Sequence, residues 1–240
     1  MISDLFNSFV YQPLYNGLIL LIDVMPMADV GLAVVALTIL VKFALSPLAY
    51  KASIMQRKIR AITPQMEEIK KKYKDKQEQT LKILALYKDN NIRPFASILV
   101  MFIQIPVIFG LYWVFYKGGL PEVDASLLYS FISIPDLTPN MMFLGFSDMA
   151  GRSALFALIA GASQYYLSKL TLPTPAPKPE NPTLKDDLAH SMHMQMKYVM
   201  PVIIVVVAYT ISAAIALYWA TSNIFAVVQE LLIRRGDKKV

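Results

Sequence analysis

Long apolar runs alternate along this chain with polar stretches, and five of the runs are long enough to predict membrane-spanning helices. They are Val30 to Ala49, Phe95 to Tyr116, Gly151 to Leu170, Tyr198 to Ser212 and Ala214 to Ile233. The last two are nearly continuous. Together they make about 36 residues, too long for one untilted helix and enough for two short ones with a tight turn near Thr210 to Ala213. Two short helices imply a locally thinned bilayer or a partly wet helix pair. The apolar piece Leu14 to Met27 is shorter and is interrupted by Asp23, which predicts an amphipathic helix lying in the interface over residues 1–29.

The polar stretches differ from one another. In residues 50–94, Ile62, Met66, Ile69 and Tyr73 recur at helical spacing, as do Thr80, Leu84 and Tyr87, with Lys and Glu between them. That pattern predicts two amphipathic helices forming a hairpin that turns near Lys74 to Gln77, with a kink or restart at Pro64. Residues 171–197 open with TLPTPAPKPENP, a proline-rich and extended composition. Residues 117–150 hold Pro121, Pro135 and Pro139 with Gly118, Gly119 and Gly145, which suggests irregular packed structure. No internal repeat is visible, so residues 1–240 read as one domain and the repeated halves of many secondary transporters lack support.

Composition and charge sharpen this picture. Of 240 residues, 56% are hydrophobic, and the mean hydropathy is +0.47, the signature of an integral membrane protein. Cysteine is absent, so no disulfide, thiolate metal site or lipidated cysteine is expected. Residues 1–29 contain no Lys or Arg, hence no positive region of a secretory signal. Lys and Arg then number twelve in 50–94, one in 117–150, three in 171–197 and four after Ile233. Short basic loops stay in the cytoplasm, so the alternation predicts an outside N-terminus, a cytoplasmic C-terminus in residues 234–240, and an odd number of spans. The net charge of +6 is therefore mostly topology, with a surplus of twelve bases over five acids in the first cytosolic loop. Arg57, Lys58, Arg60, Lys70, Lys71 and Lys72 are its candidate recruitment residues, a solvated helix face being the plainer reading.

Lys42 is the most informative residue, because a charge at mid-membrane depth costs about 2.5–3.5 kcal/mol on insertion scales and is expected to face a wet cavity. The spans also hold Ser46, Gln104, Ser163, Gln164, Thr221, Ser222 and Asn223. Each alone reads as interhelical glue, and the set around a lysine points to a hydrated groove. No acidic residue falls in the spans before Glu230, which suggests an anionic visitor to Lys42. Met192, Met194, Met196 and Met200 read first as core filling and second as a surface accepting varied apolar sequences. Trp113, Trp219, Tyr112, Tyr116, Tyr165, Tyr166 and Tyr218 fall toward helix ends or the hairpin turn, where interfacial belts form, with lining a substrate path as the sharper reading. His190 and His193 lack a third metal ligand, and no nucleophile motif, phosphate loop or intramembrane carboxylate pair is present. Neither an enzyme nor a cofactor is expected.

In order along the chain stand YQPLYNGLILLID, TILVKFALSPL, IMQRKIRAITPQMEEIKKKYKDK, ALYKDNNIRPFASILVMFIQIPVIFGLYWVF, FLGFSDM and IALYWATSNIFAVVQELLI. In order and spacing the chain resembles the YidC family of membrane protein insertases over essentially its full length. The resemblance implies an all-α membrane protein whose five-helix core carries a hydrophilic groove open to cytosol and lipid and closed to the outside. It places Lys42 where the family typically has an arginine, and Gln104, Gln164 and Trp219 at positions similar to groove-facing ones, with Ser222 and Asn223 beside them. Lysine keeps the charge but not the planar fork. TISAAIALYW stands where many relatives have a proline and glycine, and only seven residues follow Ile233, so no long ribosome-binding tail is expected. The implied location is the bacterial plasma membrane. The implied partners are nascent membrane proteins and lipids, with the ribosome, signal recognition machinery and general secretion translocon as candidates, and no DNA. An anion transporter using Lys42, and an assembly chaperone that holds subunits without inserting them, are the other readings.

Overall fold

The structure, a computed structural model, describes residues 2–73, 75–92, 95–117, 120–172 and 190–237. It is mostly helical. Helix α1 (Ile2–Phe6), a π-helical turn (Asn7–Tyr11) and α2 (Gln12–Val24) follow one another directly. Next come α3 (Val30–Lys72), α4 (Lys76–Asp89), α5 (Phe95–Lys117) and α6 (Ala154–Thr171). Helical residues from His190, including a π-helical turn (Gln195–Val199), lead into α7 (Met200–Thr210), and α8 (Ala213–Asp237) is the last element among the described residues. Between α5 and α6 lie the short strands β1 (Met142–Phe143) and β2 (Ser147–Asp148), paired antiparallel.

Among the described residues, four helices are long and apolar enough to cross a membrane: Asp4–Val24, Val30–Lys72, His190–Thr210 and Ala213–Arg235, with Gln104–Tyr116 a shorter apolar helix. The first of these is longer than the piece read from Leu14 onward. Pro13 does not stop it, because it directly follows the π-helical turn, closed by the Gln12 N–H on the Asn7 carbonyl, where the hydrogen-bond ladder is already widened. Two prolines, Pro47 and Pro64, lie inside α3 without ending it.

The chain forms two compact units, one comprising residues to Phe43 with Pro106 onward, the other Ala44–Ile105. In the first, small residues let helices approach closely, as membrane helices do in the absence of a hydrophobic drive between them. Ala157, Ala160 and Gly161 of α6 meet α7 and α8, whose Ala208, Ala213, Ala214, Ala216 and Ala220 are buried. A Cβ on Gly161 would stand 2.2 Å from a Val205 methyl and 3.0 Å from the Pro201 carbonyl. On α2, Tyr15, Leu18, Ile19 and Ile22 are fully buried.

Residues 120–153 are laced onto the helix ends by backbone and buried polar groups. Asn16 of α2 donates to the Leu127 carbonyl at 2.8 Å and accepts from the Tyr129 N–H at 2.7 Å, while the Tyr15 hydroxyl accepts from the Asp124 N–H. Asp29 is buried and uses both oxygens: one caps α3 by accepting from the Leu32 N–H, the other accepts from the Leu144 N–H. The Ala213 and Ala214 N–H groups at the start of α8 donate to the Gly151 and Met149 carbonyls. The turn joining β1 to β2 has Leu144 and Gly145 at φ 48° and 77°, the left-handed pair that suits a tight hairpin and that glycine accepts more easily than leucine.

In the second unit, Ile62 is buried and Met66, Ile69 and Tyr73 are half-buried, so their helical spacing marks the packed face. On α4 the packed face is rotated from the expected one: Gln79, Ile83, Leu86 and Tyr87 are half-buried, and Thr80 and Leu84 are exposed. Gln79 explains the rotation. Its amide turns inward to donate to the Lys70 and Tyr73 carbonyls at the end of α3, satisfying orphan acceptors there.

Candidate functional site

Lys42 extends the buried face of α3 by one turn. Val34 and Leu37 are buried, and the buried Thr38 hydroxyl donates to the Val34 carbonyl at 2.6 Å. At i+4 from Thr38, Lys42 lies on the same face and is half-buried, with Leu40 and Phe43 exposed beside it. Lys42 thus stands where the packed stripe meets an apolar, outward surface. A lysine at such a border keeps its stem against the protein while its head seeks water or an anion.

The other membrane-segment polar groups of the first unit gather on α6 and α8. Asn223, buried, donates to the Ala160 carbonyl across the two helices at 3.3 Å. Gln164 follows Ala160 by one turn and donates to the Ser168 hydroxyl, and the Ser163 hydroxyl donates back to the Ala160 carbonyl. On α8, Ser222 is buried and Trp219, one turn before Asn223, is half-buried. This cluster holds α6 to α8 while presenting the Gln164 amide and Trp219 ring at its edge. Gln104, on α5, is half-buried and belongs to the other unit.

Of the basic residues on α3, Lys58, Lys70, Lys71 and Lys72 are exposed, whereas Arg57 and Arg60 are half-buried. The Lys72 and Lys82 ammoniums approach the Tyr73 ring, at 5.8 and 5.6 Å from its centre. These cations mark the end of α3 as a positive tip.

Three polar anchors, the buried Asn16 and Asp29 and the half-buried Arg234, lie outside the residues singled out from sequence. Asn16 and Asp29 were legible only as polar interruptions of apolar runs. Arg234 pairs with Glu230 at 3.0 Å and donates to the Leu170 carbonyl, so the end of α8 caps the last turn of α6. Its signal was the Glu-to-Arg spacing of four. Met192, Met194, Met196 and Met200 are exposed, contrary to core filling, because an apolar solvent rather than the chain itself suits the helix that bears them. Among the described residues no group of three His, Asp or Glu could hold a metal ion. In the 120–153 segment, Asp124 accepts from the Ser126 hydroxyl and N–H, which holds its carboxyl below the ordinary range.

Comparison with known proteins gives a consistent set of likenesses. The model of the 60Kd inner membrane protein family matches residues 22–239. The chain is 28% identical over 238 residues to a protein of Alkalihalophilus pseudofirmus named membrane protein insertase YidC, covering 95% of this chain and 81% of that one. Proteins of the same name from Fusobacterium nucleatum and Clostridium tetani are 26% and 30% identical, covering 95% and 89% of this chain and 98% and 86% of theirs. A solved structure described as an active YidC insertase with its first transmembrane domain resolved matches with a TM-score of 0.56 and 22% identity. That match covers 91% of this chain and 45% of the solved one, and it speaks to the fold.

Proposed function

This chain belongs to the YidC family, and from that premise we propose that it is a membrane protein insertase that draws client polypeptides into a hydrophilic, positively charged groove. The observation that carries the reading is Lys42, half-buried where the packed face of α3 meets an apolar surface. Gln164, Trp219, Ser222 and Asn223 line or support the groove from α6 and α8, and Gln104 joins the set through the family resemblance. The alternation of basic loops supports five spans with the N-terminus outside and the C-terminus in the cytoplasm of a bacterial plasma membrane. Within that topology residues 1–29 lie outside with an interfacial helix, and residues 50–94 form a cytosolic hairpin.

The mechanism is electrostatic and then hydrophobic. A short acidic segment of a client is attracted by Lys42, a pull of about 4 kcal/mol for charges 4 Å apart at an effective dielectric of 20, against about 1 in water. Desolvating both groups offsets part of that gain, so the acidic segment is held briefly rather than trapped. The client's apolar helix then leaves sideways into lipid, at roughly 25 cal/mol for each Å² removed from water. No bond is made or broken in the client. The exposed lysines on α3, with Arg57 and Arg60, receive the client and its delivery partners, of which the ribosome, the signal recognition machinery and the secretion translocon are candidates.

Insertion of an acidic-tailed single-span client into proteoliposomes holding only this protein, scored by protease protection, tests the reading. Protection well above that of empty vesicles and reduced by Lys42→Ala is expected. No protection, in vesicles where a characterised insertase works, would remove insertion as the function and favour an assembly chaperone.

A further inference from the structure

Two apolar tips meet at one end of the first unit. One is the hairpin turn between β1 and β2, where Leu144 and Phe146 are each 57% exposed; the other is the link from α2 to α3, where Met27 is 70% exposed. They are tied together. The Asn140 N–H donates to the Ala28 carbonyl, the Val30 N–H to the Asn140 carbonyl and the Leu144 N–H to Asp29 at 2.7 Å. Neither tip carries a charge: none lies between Asp23 and Asp29, nor between Asp136 and Asp148.

The backbone at both tips resists ordinary turn chemistry. Met27, Ala28 and Leu144 all hold left-handed φ values, 56°, 52° and 48°, where Gly, Asn or Asp would serve a water-facing turn better. The Met27 and Leu144 side chains are therefore presented outward from conformations that do not favour them, while Ala28 between the helices is buried. The patch also reaches the start of α6. Phe146 packs on the buried Phe156 in the first turn of α6, ring centres 6.3 Å apart, and Leu155 and Leu158 of that turn and the next are exposed.

We propose that Met27, Leu144 and Phe146 form a joint foot that inserts among the lipid headgroups and upper acyl chains at the end of the bundle bearing residues 120–153. The occupant is the bilayer surface, because the chain belongs to a family of inner membrane proteins and both exposed tips are apolar and without charge. Asp23 and Asp148, exposed on either side, limit the depth by staying in the headgroup water. The foot holds both links at the bilayer surface and steadies the segment that Asp29 pins to α3. It does not depend on insertase activity.

The chain has no cysteine, so Leu144→Cys gives a single site for an environment-sensitive fluorophore in the full-length protein, with Glu122→Cys as the exposed control. Both are reconstituted in phosphatidylcholine and phosphatidylglycerol vesicles. The label at 144 should emit blue-shifted and be quenched at least threefold more by a nitroxide high on the acyl chain than by aqueous iodide. The label at 122 should show the reverse preference. Iodide quenching at 144 equal to that at 122 would overturn the proposal, as would a blue shift without nitroxide quenching, which marks a protein partner or a second copy of the chain. Repeating the measurement on Met27→Cys guards against local distortion by the first label, and shallow nitroxide quenching is expected there too.

Discussion

Asp29 is the most informative residue to perturb for the architecture. It is 1% exposed, and its two oxygens accept from the Leu32 N–H at 2.9 Å and the Leu144 N–H at 2.7 Å. Removing an N-cap costs about 1 kcal/mol. A hydrogen bond to a charged acceptor is worth about 1.5–3 kcal/mol, so Asp29→Ala should cost roughly 2–4 kcal/mol in all. Asp29→Ser keeps an N-cap acceptor and loses the reach to Leu144, so it should retain about 1 kcal/mol of that. Hydrogen exchange separates the effects. In Asp29→Ala both the Leu32 and Leu144 amides should exchange faster, that of Leu144 by about tenfold for each 1.4 kcal/mol lost. In Asp29→Ser only the Leu144 amide should do so. Unchanged protection of Leu144 in either variant would refute the claim that this carboxylate joins the hairpin to α3.

Three further outcomes follow from the packing and the surface. Gly161→Ala should lower the melting temperature in detergent by the equivalent of about 1–3 kcal/mol, because its Cβ would meet Val205 at 2.2 Å. Val205→Ala should restore part of the loss, not all, since the Pro201 carbonyl at 3.0 Å remains. Arg234→Ala should loosen the last turn of α6, read as faster exchange at residues 168–171, with Arg234→Lys recovering less than half, because a single ammonium cannot serve Glu230 and the Leu170 carbonyl with the same planar geometry. Ser126→Ala should raise the Asp124 titration midpoint toward the ordinary carboxylate value in an NMR titration. As the folded-state value is the depressed one, any stability it contributes is present above the ordinary midpoint and fades as the pH falls through the folded one, leaving neutral pH unaffected.

The helices were legible because each apolar run is long and few residues interrupt it. Lys42 stood out for the same reason, a charge being costly in such a run. The lacing of residues 120–153 was not legible: Asn16 and Asp29 act through backbone N–H and carbonyl groups more than a hundred positions away, and backbone leaves no side-chain pattern. The face of α4 was misread because its inward position is held by an amide, Gln79, rather than by an apolar residue. The methionines of 192–200 were misplaced inward since side chains suited to a core suit lipid equally well. Asn223 shows the limit for single polar residues, being at once in the groove set and bonded across helices to Ala160.

In this mechanism the charge of Lys42 draws acidic client segments, and a client series differing only in tail charge isolates that pull. Insertion should favour an acidic tail over a neutral one in the parent protein, lose that preference in Lys42→Ala and regain it in Lys42→Arg. An acidic-over-neutral ratio that is the same in Lys42→Ala as in the parent would contradict the account.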